Sequence, residues 1–160
     1  MNQFYKVDFD KYCEAVVDHV ACPAETYNDI KLPKRATMMS AGYDFYAPVS
    51  FDLEPGETVK LETGVGVLLE EDKFLMCVPR SGLGFKYRLQ LDNTCGIIDA
   101  DYSGADNGGH IMAKLTNCGQ KHVHVDRGEA FMQGIILQYF KTDDDESDAI
   151  RTGGFGSTTV

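Results

Sequence analysis

From Lys31 onward the apolar residues come in short or alternating runs. Glu57 to Leu61, Val65 to Leu69, Phe74 to Val78, Ile111 to Leu115, His122 to Val125 and Ile135 to Phe140 are each four to six residues long. Runs of that length, bounded by turn residues, predict strands. The breaks are Glu54-Pro55-Gly56, Ser81-Gly82, Gly108-Gly109, Asn117-Cys118-Gly119 and Asp126-Arg127-Gly128, all rich in residues that turn the chain. Many short strands with no amphipathic helix between them predict an all-β, jelly-roll-like sandwich or barrel. The N-terminal stretch differs: Phe9, Cys13, Val16, Val17 and Val20 recur at three- and four-residue steps behind Asp8. That spacing, with Asp8 as N-cap, predicts a short helix appended to the β domain.

A chain of 160 residues suits one domain with a real core. The expected division is an N-terminal extension over 1–29, a β domain over 30–141, and an acidic linker with a Gly-rich arm over 142–160. The run Thr142-Asp143-Asp144-Asp145-Glu146-Ser147-Asp148 reads as a solvated linker. No apolar run approaches the roughly 18 residues that span a bilayer. No basic, then apolar, then small-residue leader opens the chain, so a cytoplasmic location is expected, inside a host cell if the source is viral. A net charge of −10 argues against nucleic acid or an anionic membrane as bulk partner. An anionic ligand must then be held locally, by a few Arg, backbone amides or a metal ion. The five cysteines are scattered, without a CxxC pair, and read as reduced thiols. His122 and His124 share a strand face without a third ligand nearby in sequence and read as a solvent-facing pair. Gly64-Val65-Gly66 is no dinucleotide fingerprint, since neither the full glycine spacing nor a following helix accompanies it.

Four stretches look over-specified for turns. Ser40-Ala41-Gly42-Tyr43-Asp44 sets a carboxylate at the entrance of a strand. Pro79-Arg80-Ser81-Gly82-Leu83-Gly84 follows the strand FLMCV and combines a guanidinium, a hydroxyl and free amides, the donors a phosphate needs; alone it also reads as an ordinary polar turn. Gly96-Ile97-Ile98-Asp99-Ala100-Asp101-Tyr102-Ser103-Gly104 places two carboxylates at i and i+2, pointing the same way or split by a bend. One could serve as general base, or both could only cap a turn. The tail RTGGFGSTTV sets Phe155 among glycines that let backbone approach a flat ligand, although Gly-rich disorder is the default for such a composition.

In this order and spacing, SAGYD, PRSGLG, GIIDADYSG, RGEAFMQ and RTGGFGST resemble the five motifs of the homotrimeric deoxyuridine triphosphatases, the dUTPases. Lys31-Leu32-Pro33-Lys34-Arg35-Ala36 resembles the family's opening, so the likeness spans about residues 30 to 160. It implies a trimer whose active sites combine motifs from different subunits, and hydrolysis of dUTP to dUMP and pyrophosphate with Mg²⁺. That reaction limits uracil in DNA and supplies dUMP for thymidylate. Asp99 matches the carboxylate that activates the attacking water. Tyr102 matches the ring that packs against deoxyribose. Asn93, Gly96, Ile97, Ile98 and Met112 match the uracil hairpin and its surroundings. Arg80, Ser81 and Gly82 match the phosphate-binding turn, with Gln133 as a further phosphate contact. Asp44 matches a carboxylate acting on Mg²⁺ through water, the ion being held mainly by substrate phosphates. Arg151 matches the tail's phosphate grip, and Phe155, beside Gly156, the ring that stacks on uracil.

The chain departs from the family pattern in three places. Ala130 stands where relatives carry Arg, Ala105-Asp106-Asn107-Gly108-Gly109 looks inserted, and one residue rather than two separates Arg151 from Gly153. A dCTP deaminase would share the fold, but the strand His110-Ile111-Met112-Ala113-Lys114-Leu115 lacks the Glu that deamination needs. A regulatory protein partner is a further expectation, with residues 1–29 and 105–109 as the extra surface it would use.

Overall fold

The computed structural model describes residues 1–149, 151 and 153; the expected tail residues Phe155 and Gly156 lie outside the described residues. The chain runs β1 (Gln3–Lys6), α1 (Phe9–Val16), α2 (Pro23–Asp29), β2 (Lys34–Arg35), β3 (Tyr43–Tyr46), β4 (Phe51–Leu53), β5 (Thr58–Glu62), β6 (Val65–Leu68) and β7 (Lys73–Pro79). It continues through α3 (Ser81–Tyr87), β8 (Leu89–Leu91), β9 (Gly96–Asp99), a single-turn helix at Ala100–Gly104, β10 (Met112–Asn117), β11 (Val123–Val125) and β12 (Ala130–Gln138). The strands form one five-stranded sheet, β2-β3-β12-β7-β9, with smaller ladders β5-β10-β8, β11-β4 and β1-β6. Every pairing is antiparallel, and the whole is a jelly roll of short strands.

Alternation places the core. In β8 and β11 the outer residues are buried and the middle one exposed, and β10 buries Ala113, Leu115 and Asn117. With Phe45, Leu61, Leu75 and Phe131 the apolar ones among these side chains close one continuous cluster. β12 starts five residues before the expected Ile135, at Ala130. Gly134 reads as a break in the sequence, but here it is a packing requirement: a Cβ on it would stand 2.9 Å from Leu75 Cδ1 and 3.0 Å from Phe45 Cε2.

The N-terminal helix forms as its spacing predicts, with the Asp8 side chain accepting from Asp10 N at 2.9 Å. It ends at Val16 rather than Val20, and its buried stripe is Tyr12 and Val16, while Val17 is 70% exposed. Tyr12 escaped the apolar pattern because of its hydroxyl, yet its ring is fully buried. β1, α2 and α3 were not expected. β1 pairs with β6, Phe4 opposite Val67, and Val7, Tyr12 and Val16 belong to the same core as the strands. α2 is tied to the turn before β12, where Arg127 bridges to Asp29 at 2.5 Å and Glu25 at 3.6 Å. Residues 1–29 therefore complete the core rather than hang from it.

Tyr12→Ala is accordingly expected to cost about 3 to 5 kcal/mol in urea denaturation, the penalty of emptying a buried aromatic site. A loss under about 0.5 kcal/mol, typical of a surface position, would mean that the helix only decorates the barrel.

Candidate active site

β7 is the spine of the site, paired along its length with β12 on one side and β9 on the other. Gly96 lies opposite Cys77 and Asp99 opposite Phe74. A Cβ on Gly96 would stand 3.2 Å from Cys77 Cβ and 3.9 Å from Asn93 Nδ2, so only glycine lets the strand lie this close. Beside it is a cavity of about 110 Å³ lined by Asn93, Gly96, Ile97, Ile98 and Met112, with Cys77 at its back. All five residues expected at a base pocket are thus brought together, Met112 included. Burial pushes the Cys77 thiol up to about 12, so it stays neutral and unreactive there. All five cysteines are free thiols.

Asp99 ends β9 and precedes the single-turn helix that carries Asp101 and Tyr102. The bend does not separate the two carboxylates, because both converge on Arg151. Its Nη2 lies 3.1 Å from Asp99 Oδ2 and its Nη1 3.6 Å from Asp101 Oδ1. The guanidinium carbon also sits 5.5 Å from the centre of the Tyr102 ring. Asp99 remains about half exposed, whereas the Arg151 side chain is only 14% exposed, and its Nε has no hydrogen-bond partner among the described residues. Tyr102 is buried. Its hydroxyl donates to His110 O at 2.9 Å and accepts from Asn107 Nδ2 at 2.8 Å. Desolvation raises the phenol above its ordinary range, opposed by the Asn107 hydrogen bond and the Arg151 charge.

A second group lies beyond the other end of β7. Asp44 on β3 pairs in register with Gln133 on β12, and its Oδ1 faces Arg80 Nε at 3.6 Å. Gly42 lies directly beneath the Gln133 side chain, where a Cβ would stand 2.3 Å from Gln133 Oε1 and turn that amide aside. Arg80 N donates to Phe131 O at 3.2 Å, fixing the start of α3. The stretch expected as a turn is thus a short helix whose first residues are Ser81 and Gly82. Amides in a helix's first turn lack intrahelical partners and face forward, which suits an anion as well as a turn would. They border a groove of about 490 Å³ with Arg80, Lys86, Glu129 and Ala130. Lys86 of α3 adds a cation to the groove that the uncharged Ala130 of β12 also lines.

The two groups are far apart within one chain. Arg80 lies six residues along from Phe74, the partner of Asp99, and at about 3.3 Å per residue that is ~20 Å. His122 and His124 are the solvent-facing pair expected, about half exposed, and they share one carboxylate partner. Asp52, opposite His124 across the β4–β11 ladder, meets their ring nitrogens at 3.0 and 2.8 Å. The hydrogen bond from Asp52 raises the pKa of His124, and the same bond lowers that of Asp52. Among the described residues no group of three or more His, Cys, Asp or Glu is arranged to hold a metal ion, and no helix is long and apolar enough to cross a membrane.

A cavity sized for one small ring, a carboxylate beside a buried Tyr, and a groove with Arg80 and Lys86 at a helix start all fall on or beside residues of the motifs. The dUTPase family model matches residues 28–159. The chain belongs to the dUTPase family. It is 37% identical over 132 residues to the deoxyuridine 5'-triphosphate nucleotidohydrolase of Lactococcus lactis subsp. lactis, covering 81% of this chain and 88% of that one. The same enzyme of Hahella chejuensis is 39% identical over 141 residues, covering 82% and 88%. Among solved structures, the Streptococcus mutans dUTPase superposes with a TM-score of 0.62 at 34% identity, over 70% of this chain and 88% of that one. The dUTPase of Staphylococcus bacteriophage 80alpha shares the fold, TM-score 0.66 at 17% identity, over 95% and 99%. That phage enzyme is described as controlling transfer of virulence genes by a proto-oncogenic G protein-like mechanism. Like its relatives, the chain is a dUTP diphosphatase, a hydrolase of nucleotide metabolism.

Behind Tyr102, His110 is fully buried, and its Nε2 accepts from Gly64 N at 2.8 Å. Burial drops its pKa from 6.5 to about 4, with Glu62 opposing the shift and Lys60 adding to it. The unfolded chain takes up the proton near pH 6.5 and the folded chain only near 4. Stability from this residue is therefore full above pH 6.5 and is lost as the pH falls toward 4, by about 3 kcal/mol. Urea midpoints across that window should fall more steeply for the wild type than for His110→Gln; parallel curves would show that His110 does not carry the effect.

Proposed function

We propose that this dUTPase hydrolyses dUTP to dUMP and pyrophosphate by attack of a water, activated by Asp99, on the α-phosphorus. The observation that carries the reading is the placement of Asp99 at the rim of the strand that forms the base cavity, with Tyr102 three residues on. A base seated in the cavity would be read along its polar edge by the backbone of Gly96 to Ile98 and by Asn93. A pocket built to pair those groups discriminates strongly against a base that leaves them unpaired. A carboxylate half open to solvent accepts a proton from water in line with the phosphorus. The Tyr102 ring supports the sugar. Arg80, Ser81, Gly82 and Gln133 bind the phosphates, and Lys86 supplies charge to the groove where Ala130 offers none.

The donors present fit Mg²⁺ in the way it usually binds nucleotides, through substrate phosphates and one carboxylate rather than a protein cage. Asp44 is the residue that would meet the ion, through water, and when bound it neutralises charge on the triphosphate. Arg80, its present partner, would then be released to the phosphates. A dUTPase from phage phi11 of S. aureus is described as coordinating a structural Mg(II) ion, a use of the metal different from the one proposed for Asp44.

The ~20 Å between Asp99 and Arg80 along β7 is too long for one triphosphate to bridge with its base in the cavity. We therefore read the active site as shared, Asp99 and the base cavity from one subunit and the phosphate groove from the next in a homotrimer. Arg151, with Phe155 and Gly156 of the tail, then closes over the nucleotide, excluding water from the reacting phosphorus. Such activity limits uracil incorporation into DNA and supplies dUMP.

Asp99→Asn should cut pyrophosphate release from dUTP at least about 100-fold, the usual scale of a lost general base, while a nonhydrolysable dUTP analogue still binds. Turnover near the wild-type rate would remove Asp99 from this role. Site sharing has its own test. Arg80→Ala and Asp99→Asn proteins, each inactive alone, should regain part of the wild-type rate when unfolded together and refolded as mixed oligomers. Mixtures no more active than the separate variants would place the whole site within one chain.

A further inference from the structure

The N-terminal segment and the inserted-looking stretch 105–109 meet at the far side of Tyr102. Asn107 Nδ2 donates to the Tyr102 hydroxyl at 2.8 Å and lies 3.4 Å from His110 O, while Asn107 Oδ1 accepts from Gly109 N at 3.1 Å. The Tyr102 hydroxyl in turn donates to His110 O at 2.9 Å. His110 is itself anchored through its Nε2 by Gly64 N. From the other side Tyr5 of β1 donates to Gly108 O at 2.9 Å. Gly108 and Gly109 both have φ of +70°, and a Cβ on Gly109 would stand 2.5 Å from the Tyr5 hydroxyl and 2.8 Å from Ser103 Cα. The inserted loop is therefore held in one shape, and that shape aims an amide at the tip of the Tyr102 ring.

We infer that Asn107 is a positioning residue for sugar selection, fixing the Tyr102 ring through its hydroxyl, with Tyr5 holding the loop that carries it. The inference rests on the reading that Tyr102 packs against the deoxyribose. A ring excludes a 2′-hydroxyl only as well as it resists being pushed back, because a wall that recedes by a fraction of an ångström admits one more oxygen. Packing alone leaves such a ring free to tilt about its own χ angles. Hydrogen bonds at the far end, one accepted and one donated, oppose that tilt and convert contact into selection.

The experiment compares kcat/KM for dUTP and UTP in the wild-type enzyme with Mg²⁺, in Asn107→Ala, in Tyr102→Phe and in the double variant. Asn107→Ala should lower the dUTP/UTP ratio about tenfold, the scale of one hydrogen bond. It should do so mainly by raising UTP turnover, with kcat for dUTP within about threefold of wild type. Tyr102→Phe should lower the ratio similarly, and the double variant no further than either single one, since both remove the same contact. An unchanged ratio in Asn107→Ala, or additive losses in the double variant, overturns the inference. Should Asn107→Ala not fold, Tyr5→Phe decides instead: it releases only Gly108 O and should lower the ratio about two- to threefold, and an unmoved ratio counts against the proposal. A wild-type enzyme that fails to hydrolyse dUTP would sink the functional reading itself. One that hydrolyses dUTP selectively but is indifferent to Asn107 sinks this inference alone.

Discussion

The ladder between β7 and β12 is the constraint on which the rest depends. Met132 faces Pro79 and, six steps on, Gln138 faces Lys73, so one unbroken register fixes both strands. A slip of a single residue would turn Leu75 and Cys77 outward and bring Met76 and Val78 into the core. The same slip would carry Gln133 away from Asp44 on one flank and Asp99 away from the base cavity on the other. Gly134, pressed between Leu75 and Phe45, helps set that register, because it is the one place on β12 where the neighbouring layers leave no room for a side chain.

The distance between the two candidate groups follows from the ladder. β7 carries the base cavity along one half and delivers the chain to α3 at its end, so nothing within a single chain shortens the distance between Asp99 and Arg80. In the described structure the charges at each end are paired locally, Arg151 with Asp99 and Asp101, and Arg80 with Asp44. Both pairs are rearrangeable, since each joins a carboxylate to a guanidinium that a phosphate could compete for. A protein of net charge −10 thus keeps its few well-placed cations satisfied until a polyanion arrives.

Much of this was legible from residue pattern. Six strands were readable because their apolar residues alternate or run unbroken between Gly, Pro and Asn. The base cavity was readable through Asn93, Gly96, Ile97, Ile98 and Met112, which resemblance grouped and the fold brings together. β1 was hidden because Lys6 and Asp8 break its apolar run. The start of β12 was hidden by Gly134. α3 was hidden because SGLGFKY carries two glycines, and helix propensity cannot anticipate a helix docked between β7 and β8. His122 and His124 illustrate the limit of reading along the chain: their partner Asp52 lies 72 residues from His124, and only strand pairing brings it there. Asn107 was invisible as a partner of Tyr102 for a different reason, since an Asn in a glycine-rich stretch reads as turn chemistry.

The pairing of β1 with β6 bears on how the molecule is made. Residues 3–6 are made before the edge they join, which lies at 65–68 and is itself braced by the Ile111 amide, donating to Val65 O at 2.9 Å. β1 must therefore wait, its apolar face uncovered, until β6 and the segment that braces it have been made. Closing so long a loop is entropically slow. The N-terminal segment thus joins its edge late, and a nascent chain stalled before residue 65 would expose Phe4, Val7 and Tyr12 to whatever chaperone reaches them first.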